Sequence, residues 1–199
     1  MKNTKEHILT VALGLFLKNS FKGVTMNEIV RATGMSKGAF YHYFKSKEAL
    51  FIAILDEYYS KFMIQDFSSY SHDSLYQFRR DMISDYGNKP QCADKNELHM
   101  CGDMNYVFLV LEGIRIFPAF REKALEHQKR EINAWTEIIR IAREKGEIES
   151  VMTDDQIANI FVLTTDGVGL RAIMSNGTAE EKRKQILGVW DGFYNQIKV

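Results

Sequence analysis

One stretch constrains the fold of this chain more than any other: residues 25–50, TMNEIVRATGMSKGAFYHYFKSKEAL. Thr25 and Glu28 have the Thr-x-x-Glu spacing of a capping box, which starts a helix by satisfying free backbone N–H groups. Gly34 supplies a left-handed residue that can end this helix, and Ser36 can cap a second one. Two short helices around a glycine turn are the plan of a helix-turn-helix, whose second helix enters the major groove of DNA.

The second helix of this segment is predicted to be anchored by Phe40 and Phe44, which lie one turn apart and point inward. The opposite face then carries small residues, aromatic hydroxyls and an imidazole, where a solvated helix would normally carry Glu and Lys. Such a face suits close approach to a groove, and flanking lysines, Lys45 among them, could meet phosphates. The predicted DNA-binding residues are Thr25, Ser36, Lys37, Gly38, Ala39, Tyr41, His42, Tyr43 and Lys47. The alternative is a structural helical hairpin with a few surface tyrosines.

Over about residues 4–60 the chain resembles the TetR family of bacterial transcriptional repressors. The resemblance rests on ILTVALGLFLKNSFKGVTMNEIVRATGMSKGAFYHYFKSKEALF, and the run SKGAFYHYFKSKEAL within it is highly specific. Beyond residue 60 the resemblance is one of length and helical character. It implies an all-α fold with a three-helix DNA-binding domain at residues 2–62, whose helix-turn-helix segment is 25–44. It also implies a larger helical domain at residues 63–199 for effector binding and dimerisation.

The distribution of charge agrees with a DNA-binding N-terminus, although the net charge is zero. The first fifty residues hold eight Lys and Arg against three Asp and Glu, and residues 51–199 hold eighteen against twenty-three. This asymmetry points to a nucleic-acid face at one end and a different task for the rest. Hydrophobic residues make up 45% of the 199 residues and only two are proline, so a compact, mostly helical protein is expected.

The chain has no stretch of the roughly 18–20 apolar residues that are needed to span a bilayer. Its N-terminus has a basic start and an apolar middle, as a signal peptide would. However, a small-residue cleavage site is missing, and Glu6, His7, Lys18 and Asn19 interrupt the pattern. We therefore expect a cytoplasmic protein with no membrane partner.

Helical spacing continues to the end of the chain, with further helices expected at about 46–64, 73–86, 104–117, 118–145, 153–175 and from 178 onward. The segment MNYVFLVLEGIRIF, residues 104–117, is apolar nearly all round and is therefore expected to be buried.

The last two helices are predicted to form a dimer interface. Residues 157–174 are apolar on more than one face, and the final helix carries a second apolar stripe, which a single chain of this size has few helices to cover. Two chains packing these helices as a four-helix bundle would cover both, and the resemblance implies the same arrangement. The predicted dimerisation residues are Gly167, Gly169, Ile186, Trp190, Phe193 and Tyr194. The alternative is ordinary core within one chain.

The central helices have the composition of a small-molecule pocket, which is mostly apolar with a few placed polar groups. The predicted ligand-binding residues are Tyr58, Phe62, Phe78, Met82, Tyr86, Met104, Phe108, Leu111, Glu112, Trp135, Phe161 and Asp166. Such a stripe is also typical of core, and the resemblance favours the pocket because members of the family usually bind an inducer there and release DNA. Glu112 and Asp166 favour a cationic or hydrogen-bond-donating effector, unless Glu112 pairs with Arg115 and Asp166 with a neighbouring helix or across the dimer.

Together these patterns predict a repressor that an unknown small-molecule effector releases from a palindromic operator in double-stranded DNA, with activation as an alternative to repression. A second alternative is a DNA-binding regulator of the same fold without an effector. A third is a metal or redox sensor using Cys92, His99, Cys101 and Asp103, although their spacing matches no closed metal site. The sequence contains no nucleophile elbow, phosphate loop or metal-ligand motif, so we expect no enzyme, cofactor or metal.

Overall fold

The structure, a computed structural model, describes residues 2–62, 64–88, 104–175 and 177–199; at residues 2–3, 61–62, 86–88, 104–106 and 173 only the backbone is described. Helices make up most of these residues, so the expected all-α fold is confirmed. The helices in chain order are α1 Lys2–Gly23, α2 Met26–Thr33, α3 Lys37–Tyr43, α4 Lys47–Phe62, α5 Leu75–Asn88, α6 Met104–Ile116, α7 Pro118–Glu144, α8 Asp154–Met174 and α9 Ala179–Ile197. Across the described ranges, no helix is both long enough and apolar enough to cross a membrane.

Side-chain caps set several of the helix boundaries, as the sequence predicts. Thr25 precedes α2, and its hydroxyl accepts a hydrogen bond from the backbone N–H of Glu28 at 3.3 Å. The Glu28 carboxylate accepts in return from the backbone N–H of Thr25 at 2.7 Å. Thr178 and Glu181 repeat this capping box at the start of α9. These reciprocal bonds satisfy N–H groups that have no partner within the helix.

The chain forms two compact units that do not simply follow its order. The first unit comprises Met1–Ile64 and Met104–Ala124, and the second comprises Gln65–Asp103 and Leu125–Val199. Helix α6 therefore belongs with the N-terminal helices α1–α4. The functional boundary expected between residues 62 and 63 stays a prediction.

The core of the first unit joins α1, α4 and α6. The ring of Phe51 lies at its centre, 4.9 Å from the ring of Phe16 and 4.8 Å from that of Phe21, measured between centroids. Gly113 allows α6 to approach α4 closely, since a Cβ atom added there would lie 2.4 Å from Cδ1 of Leu55. A glycine thus lets α6 pack closely on α4, and aromatic packing joins α4 to α1.

One face of α6 is exposed, which corrects the expectation that this helix is buried all round. Phe108 is 59% exposed and Leu111 is 53% exposed, whereas Leu109 and Val110 on the inner face are buried. The helix is apolar nearly all round, but within the first unit α1 and α4 cover it from one side only.

The core of the second unit surrounds Trp135 of α7 and Trp190 of α9, which are both fully buried. The ring of Trp135 stacks on that of Phe161 in α8 with 4.6 Å between centroids, and Phe78 of α5 meets it edge-on at 4.9 Å. The indole N–H of Trp190 donates to the carbonyl of Phe161 at 3.1 Å. Four helices of one chain therefore share a single apolar centre.

Three residues that were expected at a dimer interface lie in this core. Ile186 and Trp190 have no exposed surface, and Tyr194 is 9% exposed. The structure corrects the interface prediction for these residues, because α5, α7 and α8 of the same chain already cover this stripe of α9. Phe193 is half-buried against the same core.

Candidate nucleic-acid interface

Helices α2 and α3 form a helix-turn-helix. Gly34 ends α2 in the left-handed conformation, with φ +67°, and its N–H donates to the carbonyl of Arg31 at 3.2 Å. A Cβ atom at Gly34 would meet no neighbouring atom, so the backbone angle, and not lack of space, favours glycine here. Ser36 then starts α3, since its hydroxyl accepts from the backbone N–H of Ala39 at 3.3 Å.

The two faces of α3 differ as expected. Phe40 is fully buried and Phe44, which caps the helix at its C-terminal end, is 5% exposed. Gly38, Ala39 and His42 are exposed. The helix is therefore anchored by two phenylalanines and leaves a surface of small residues and an imidazole open to a groove.

The two tyrosines of α3 are half-buried. The ring of Tyr41 meets that of Phe40 edge-on at 5.9 Å, and the ring of Tyr43 meets that of His42 at 5.5 Å. These contacts restrict the rings before any partner arrives. A polar aromatic side chain that is already positioned loses less conformational entropy on binding than a free one.

Exposed cations lie on both sides of α3 in the chain. Lys37 at its start and Lys45 just after its end are exposed, as are the predicted residues Thr25 and Ser36. Arg31, in the last turn of α2, is a further exposed cation and is not among the residues predicted from the sequence. Its place three residues before the helix-ending Gly34 was the available signal, because that turn leads directly into α3.

Lys47 occupies a different kind of position from the other lysines. Its ammonium donates to the carbonyls of Phe21 and Val24, each at 2.8 Å, and lies 4.3 Å from the centroid of the Phe21 ring. Two of its three protons thus join the start of α4 to the end of α1. The structure thus gives Lys47 a structural role, and the phosphate contact expected from the sequence stays a prediction.

The end of α1 carries a strained residue held by a distant carboxylate. Ser20 has φ 60° and ψ 172°, a conformation that costs about 1–3 kcal/mol for a residue with a Cβ atom. The next N–H, that of Phe21, donates to Oε2 of Glu112 in α6 at 2.8 Å. Oε1 of Glu112 lies 3.8 Å from the guanidinium of Arg115. Glu112 is therefore internally paired, and no local sequence pattern could reveal a contact between residues 91 positions apart.

The residues expected to bind a ligand belong to different units. Tyr58, Phe108, Leu111 and Glu112 belong to the first unit, and Phe78, Met82, Trp135, Phe161 and Asp166 to the second. The side chains of Phe62, Tyr86 and Met104 lie outside those that the structure describes. In the first unit Tyr58 is buried, while Phe108, Leu111 and Glu112 line a common groove beside α1.

The candidates in the second unit form packed core. Phe78, Met82, Trp135 and Phe161 are each no more than 2% exposed. The core interpretation raised for this stripe is therefore the simpler one for these four residues. In the part of the chain that the structure describes, however, the buried indole N–H of Trp135 has no acceptor. Buried donors usually have a partner, so this N–H is the feature of the core that favours a bound acceptor.

Asp166 lies on the surface of α8 and is exposed, as is its neighbour Gly167. Partial desolvation nevertheless raises the pKa of Asp166, and the positive charge of Lys182 in α9 acts against this rise. Burial lowers the pKa of Lys182 in turn, opposed by Asp166. The two groups thus mark the surface where α8 and α9 meet, where Gly169 also lies next to the Lys182 side chain.

Helices α8 and α9 also present exposed apolar surface. The large exposed apolar side chains on these helices are Leu163, Leu170, Met174 and Val189, with exposed fractions from 49% to 69%. The three on α8 follow a spacing of i, i+7, i+11, so they lie along one face. A Cβ atom added at Gly167 or Gly188 would meet nothing, so both glycines leave open space on these helices.

Cys92, His99, Cys101 and Asp103, the candidates for metal or redox sensing, lie outside the described residues. Within the residues that are described, no group of three His, Cys, Asp or Glu side chains could hold a metal ion.

Comparison with known proteins places the helix-turn-helix in a known family. Residues 8–54 match the family described as "Bacterial regulatory proteins, tetR family". The HTH-type transcriptional repressor NemR of Escherichia coli is 38% identical over 60 residues, which are 30% of this chain and 30% of NemR. The match to NemR thus spans less than a third of either protein.

Similarity over the whole chain is weaker in sequence. The HTH-type transcriptional repressor AcnR of Corynebacterium glutamicum is 25% identical over 194 residues, covering 96% of this chain and 92% of AcnR. The crystal structure of a TetR transcription regulator from Haloarcula marismortui superimposes with a TM-score of 0.66 at 18% identity, covering 96% of this chain and 98% of that one. The fold as a whole, and not only the N-terminal segment, is therefore shared.

Proposed function

We propose that this chain, which belongs to the TetR family of bacterial regulatory proteins, is a transcriptional repressor that reads a palindromic DNA operator with α3. The observation that carries the proposal is the asymmetry of α3. Phe40 and Phe44 are buried, while Gly38, Ala39 and His42 are exposed on a helix that is capped at its start by Ser36. A short helix anchored in this way suits insertion into a major groove about 12 Å wide.

The charges around α3 support binding to the phosphate backbone. Lys37, Lys45 and Arg31 are exposed, and the described contacts include no side-chain hydrogen bond or salt bridge of theirs that would need to be broken. We assign phosphate contacts to these three residues in preference to Lys47, whose ammonium holds two carbonyls of the first unit. Tyr41, His42 and the backbone at Gly38 and Ala39 would then face the bases.

A homodimer is part of the proposal, because a palindrome needs two recognition helices about 34 Å apart. The exposed apolar face of α8 and α9 supports it: Leu163, Leu170, Met174 and Val189 would be covered by the same helices of a second copy. The open positions Gly167 and Gly188 would let two helices approach closely. This interface uses the outer faces of α8 and α9, not the inner stripe of Ile186, Trp190 and Tyr194.

We also propose that a small molecule releases the protein from DNA, as is typical of the family. Within the second unit, the buried Trp135 N–H supports an effector that carries a hydrogen-bond acceptor. The dense packing of Phe78, Met82 and Phe161 around it supports a regulator of the same fold without an effector there.

The test is operator binding by variants of α3. An operator selected from random duplexes would be titrated by fluorescence anisotropy at several salt concentrations. Lys37→Gln should weaken binding to all sequences and lower the slope of log K against log salt by about one. His42→Ala and Tyr41→Phe should lower the preference for the operator over random DNA, by roughly 5–150-fold if a base contact worth about 1–3 kcal/mol is lost.

Lys129→Gln is the matched control for charge, because Lys129 is exposed on α7 in the second unit. Its salt slope and specificity should equal those of the parent. If Lys37→Gln, His42→Ala and Tyr41→Phe all behaved like this control, α3 would not be the reading helix.

A further inference from the structure

A groove on the first unit runs between the last turns of α1 and the outer face of α6. Its volume is about 580 Å³, and Leu17 and Lys18 of α1 face Phe108, Leu111 and Arg115 of α6 across it. All of its lining residues belong to the first unit. A concavity of this volume is within the usual range for small-molecule sites, about 300–1,000 Å³.

The walls of the groove are apolar side chains that the first unit leaves uncovered. Phe108 is 59% exposed and Leu111 is 53% exposed on successive turns of α6, and Leu17 is half-buried opposite them. The buried side chains of Phe16 and Leu109 form part of the lining. Exposed aromatic and aliphatic side chains gathered in one concavity are a feature of binding sites, whereas isolated ones are common on any surface.

Among the charged side chains of the groove, the carboxylate is already paired, whereas the two cations are exposed. Glu112, the one carboxylate among the lining residues, already accepts from the backbone N–H of Phe21 at 2.8 Å. Arg115 has 64% of its side chain exposed and lies 3.8 Å from Glu112, a separation at which an exposed ion pair contributes little. Lys18 is exposed at the other wall. The groove therefore offers two cations to an incoming molecule and no unpaired anion.

We propose that this groove binds an amphipathic monoanion, such as an aromatic or medium-chain alkyl carboxylate. The apolar body would lie against Phe108 and Leu111, and the anionic group would lie between Lys18 and Arg115. This polarity is opposite to the cationic effector that Glu112 suggested from the sequence. The proposal rests on the proposed function in one respect: as an effector site, the groove would act on the same unit that carries α3.

The groove is placed to act on α3 through contacts within the first unit. Glu112 in its wall holds the N–H of Phe21, next to the strained Ser20, and Lys47 holds the carbonyl of Phe21 from the start of α4. Gly113, next to Glu112, packs against Leu55 of α4. A ligand that shifts α6 therefore moves residues bonded to both α1 and α4, the helices that support the helix-turn-helix.

The binding test uses the full chain without DNA and 1-anilinonaphthalene-8-sulfonate, an aromatic monoanion whose fluorescence rises in apolar surroundings. We expect decanoate to displace the dye and decyltrimethylammonium, its cationic counterpart, to leave it bound. Lys18→Gln and Arg115→Gln should each raise the Kd of the dye about 3-fold, and the double variant about 10-fold, since each removes one partly solvated charge. Leu111→Ser should raise it by a similar factor through loss of apolar contact.

Lys5→Gln is the matched control, because Lys5 is exposed on α1 but does not line the groove. All substituted side chains are at least partly exposed, so thermal melts should coincide and exclude misfolding. The proposal is overturned if the double variant binds the dye like Lys5→Gln, or if decyltrimethylammonium displaces the dye as well as decanoate does.

A second titration, of selected operator with and without saturating decanoate, separates the effector role from binding and from DNA recognition. Weaker operator binding that the double variant no longer shows would support the effector role, and unchanged operator binding would contradict it. If no operator could be selected at all, the proposed function would fail, while the dye titration would still decide whether the groove is a site.

Discussion

Ser20 is the residue where the backbone of the first unit is most unusual. Among the described residues it is the one non-glycine with positive φ. The residue that follows it is held at both backbone groups: the N–H of Phe21 is bonded to Glu112, and the carbonyl of Phe21 is bonded to Lys47. Strain persists in folded proteins when surrounding contacts over-determine the conformation, and these two contacts come from α6 and α4.

We expect Ser20→Gly to stabilise the protein, because glycine adopts φ 60° without a steric cost. The relief of strain should outweigh the extra entropy of glycine in the unfolded chain and leave a net gain of about 0.5–1 kcal/mol. Urea unfolding would measure it, with Ser20→Ala as the control because alanine keeps the Cβ atom. A loss of stability in Ser20→Gly relative to Ser20→Ala would contradict the strain assigned to this residue.

Lys47 shows why the chemistry of a side chain alone does not reveal its role. Lys47→Met keeps a long apolar stem but leaves the carbonyls of Phe21 and Val24 without their donor. We expect a loss of about 1–3 kcal/mol in the free energy of unfolding, as for part-buried acceptors that lose a charged partner. Lys45 is an exposed lysine two residues earlier. Its variant Lys45→Met should change stability little and should weaken DNA binding instead. If Lys47→Met and the parent were equally stable, the two carbonyl contacts of Lys47 would not stabilise the fold, and Lys47 would be a candidate for phosphate binding like Lys37 and Lys45.

At the scale of helices, one carboxylate in the turn between α7 and α8 forms hydrogen bonds to two other helices. Oε1 of Glu147 accepts from the N–H of Tyr76 at 2.8 Å and from the hydroxyl of Tyr194 in α9 at 2.9 Å. Its Oε2 accepts from the N–H of Leu75, the first residue of α5, at 3.0 Å. Glu147 thus adds to the local cap of α5, Ser74, and joins α5 and α9 to the turn between α7 and α8.

The pKa of Tyr194 is raised from 10.0 to about 12, mainly because the side chain is partly buried and next because its hydroxyl is hydrogen-bonded to Glu147. The raised value favours the protonated form in the folded state, so its contribution to stability is complete below pH 10 and is lost as pH rises towards 12. We expect the free energy of unfolding of the parent to fall more steeply between pH 10 and 12 than that of Tyr194→Phe. Parallel pH curves for the parent and Tyr194→Phe would contradict the shift.

A helix boundary can be predicted from the sequence when the residues that define it are close together in the chain, and not when they are far apart. The helix-turn-helix was predictable because Thr25, Glu28, Gly34 and Ser36 act on backbone groups within three residues of themselves. The start of α5 was expected two residues early, at Asp73. The local cap is Ser74, whose hydroxyl accepts from the N–H of Gln77 at 3.3 Å, and the N–H of Leu75 is held by Glu147, 72 positions away, which no local pattern shows.

The candidate site shows the same limit. Periodicity identified which face of α3 is buried, and Phe40 and Phe44 are anchored as expected. It could not distinguish Lys47 from Lys37, because the difference lies in carbonyls contributed by α1. It also could not tell that Glu112 is paired with a backbone N–H and that the stripe of α9 faces the core of its own unit, since both depend on tertiary contacts.

At the scale of the whole molecule, the helices α8 and α9 carry apolar residues on an inner and an outer face, and the single chain covers only the inner one. The second unit covers the inner stripe of α9 with its own helices, so Trp190 has no exposed surface. The outer positions, among them Leu163, Leu170 and Val189, remain exposed. An exposed apolar face on two packed helices is the kind of surface that a second copy covers.

Leu170→Glu separates the dimer from the fold of the subunit. Leu170 is 56% exposed in the single chain, so glutamate there should leave the thermal stability of the isolated subunit nearly unchanged. In a dimer the same charge would be buried without a partner, which costs about 3–5 kcal/mol and raises the dimer Kd by more than roughly 100-fold. Trp190→Glu would instead place a charge in the core of the second unit and unfold it, so it cannot test the interface.

Sedimentation velocity of the parent, Leu170→Glu and Leu125→Glu at micromolar concentration would measure the effect. Leu125 is 45% exposed and belongs to α7, not to α8 or α9, and its variant controls for the added charge. We expect the parent and Leu125→Glu to sediment as dimers and Leu170→Glu as a monomer whose affinity for a palindromic operator falls towards that for a single half-site. A monomeric parent, or a Leu170→Glu variant as dimeric as Leu125→Glu, would show that the outer face of α8 is not where the copies meet, and a palindromic operator would then need another interface.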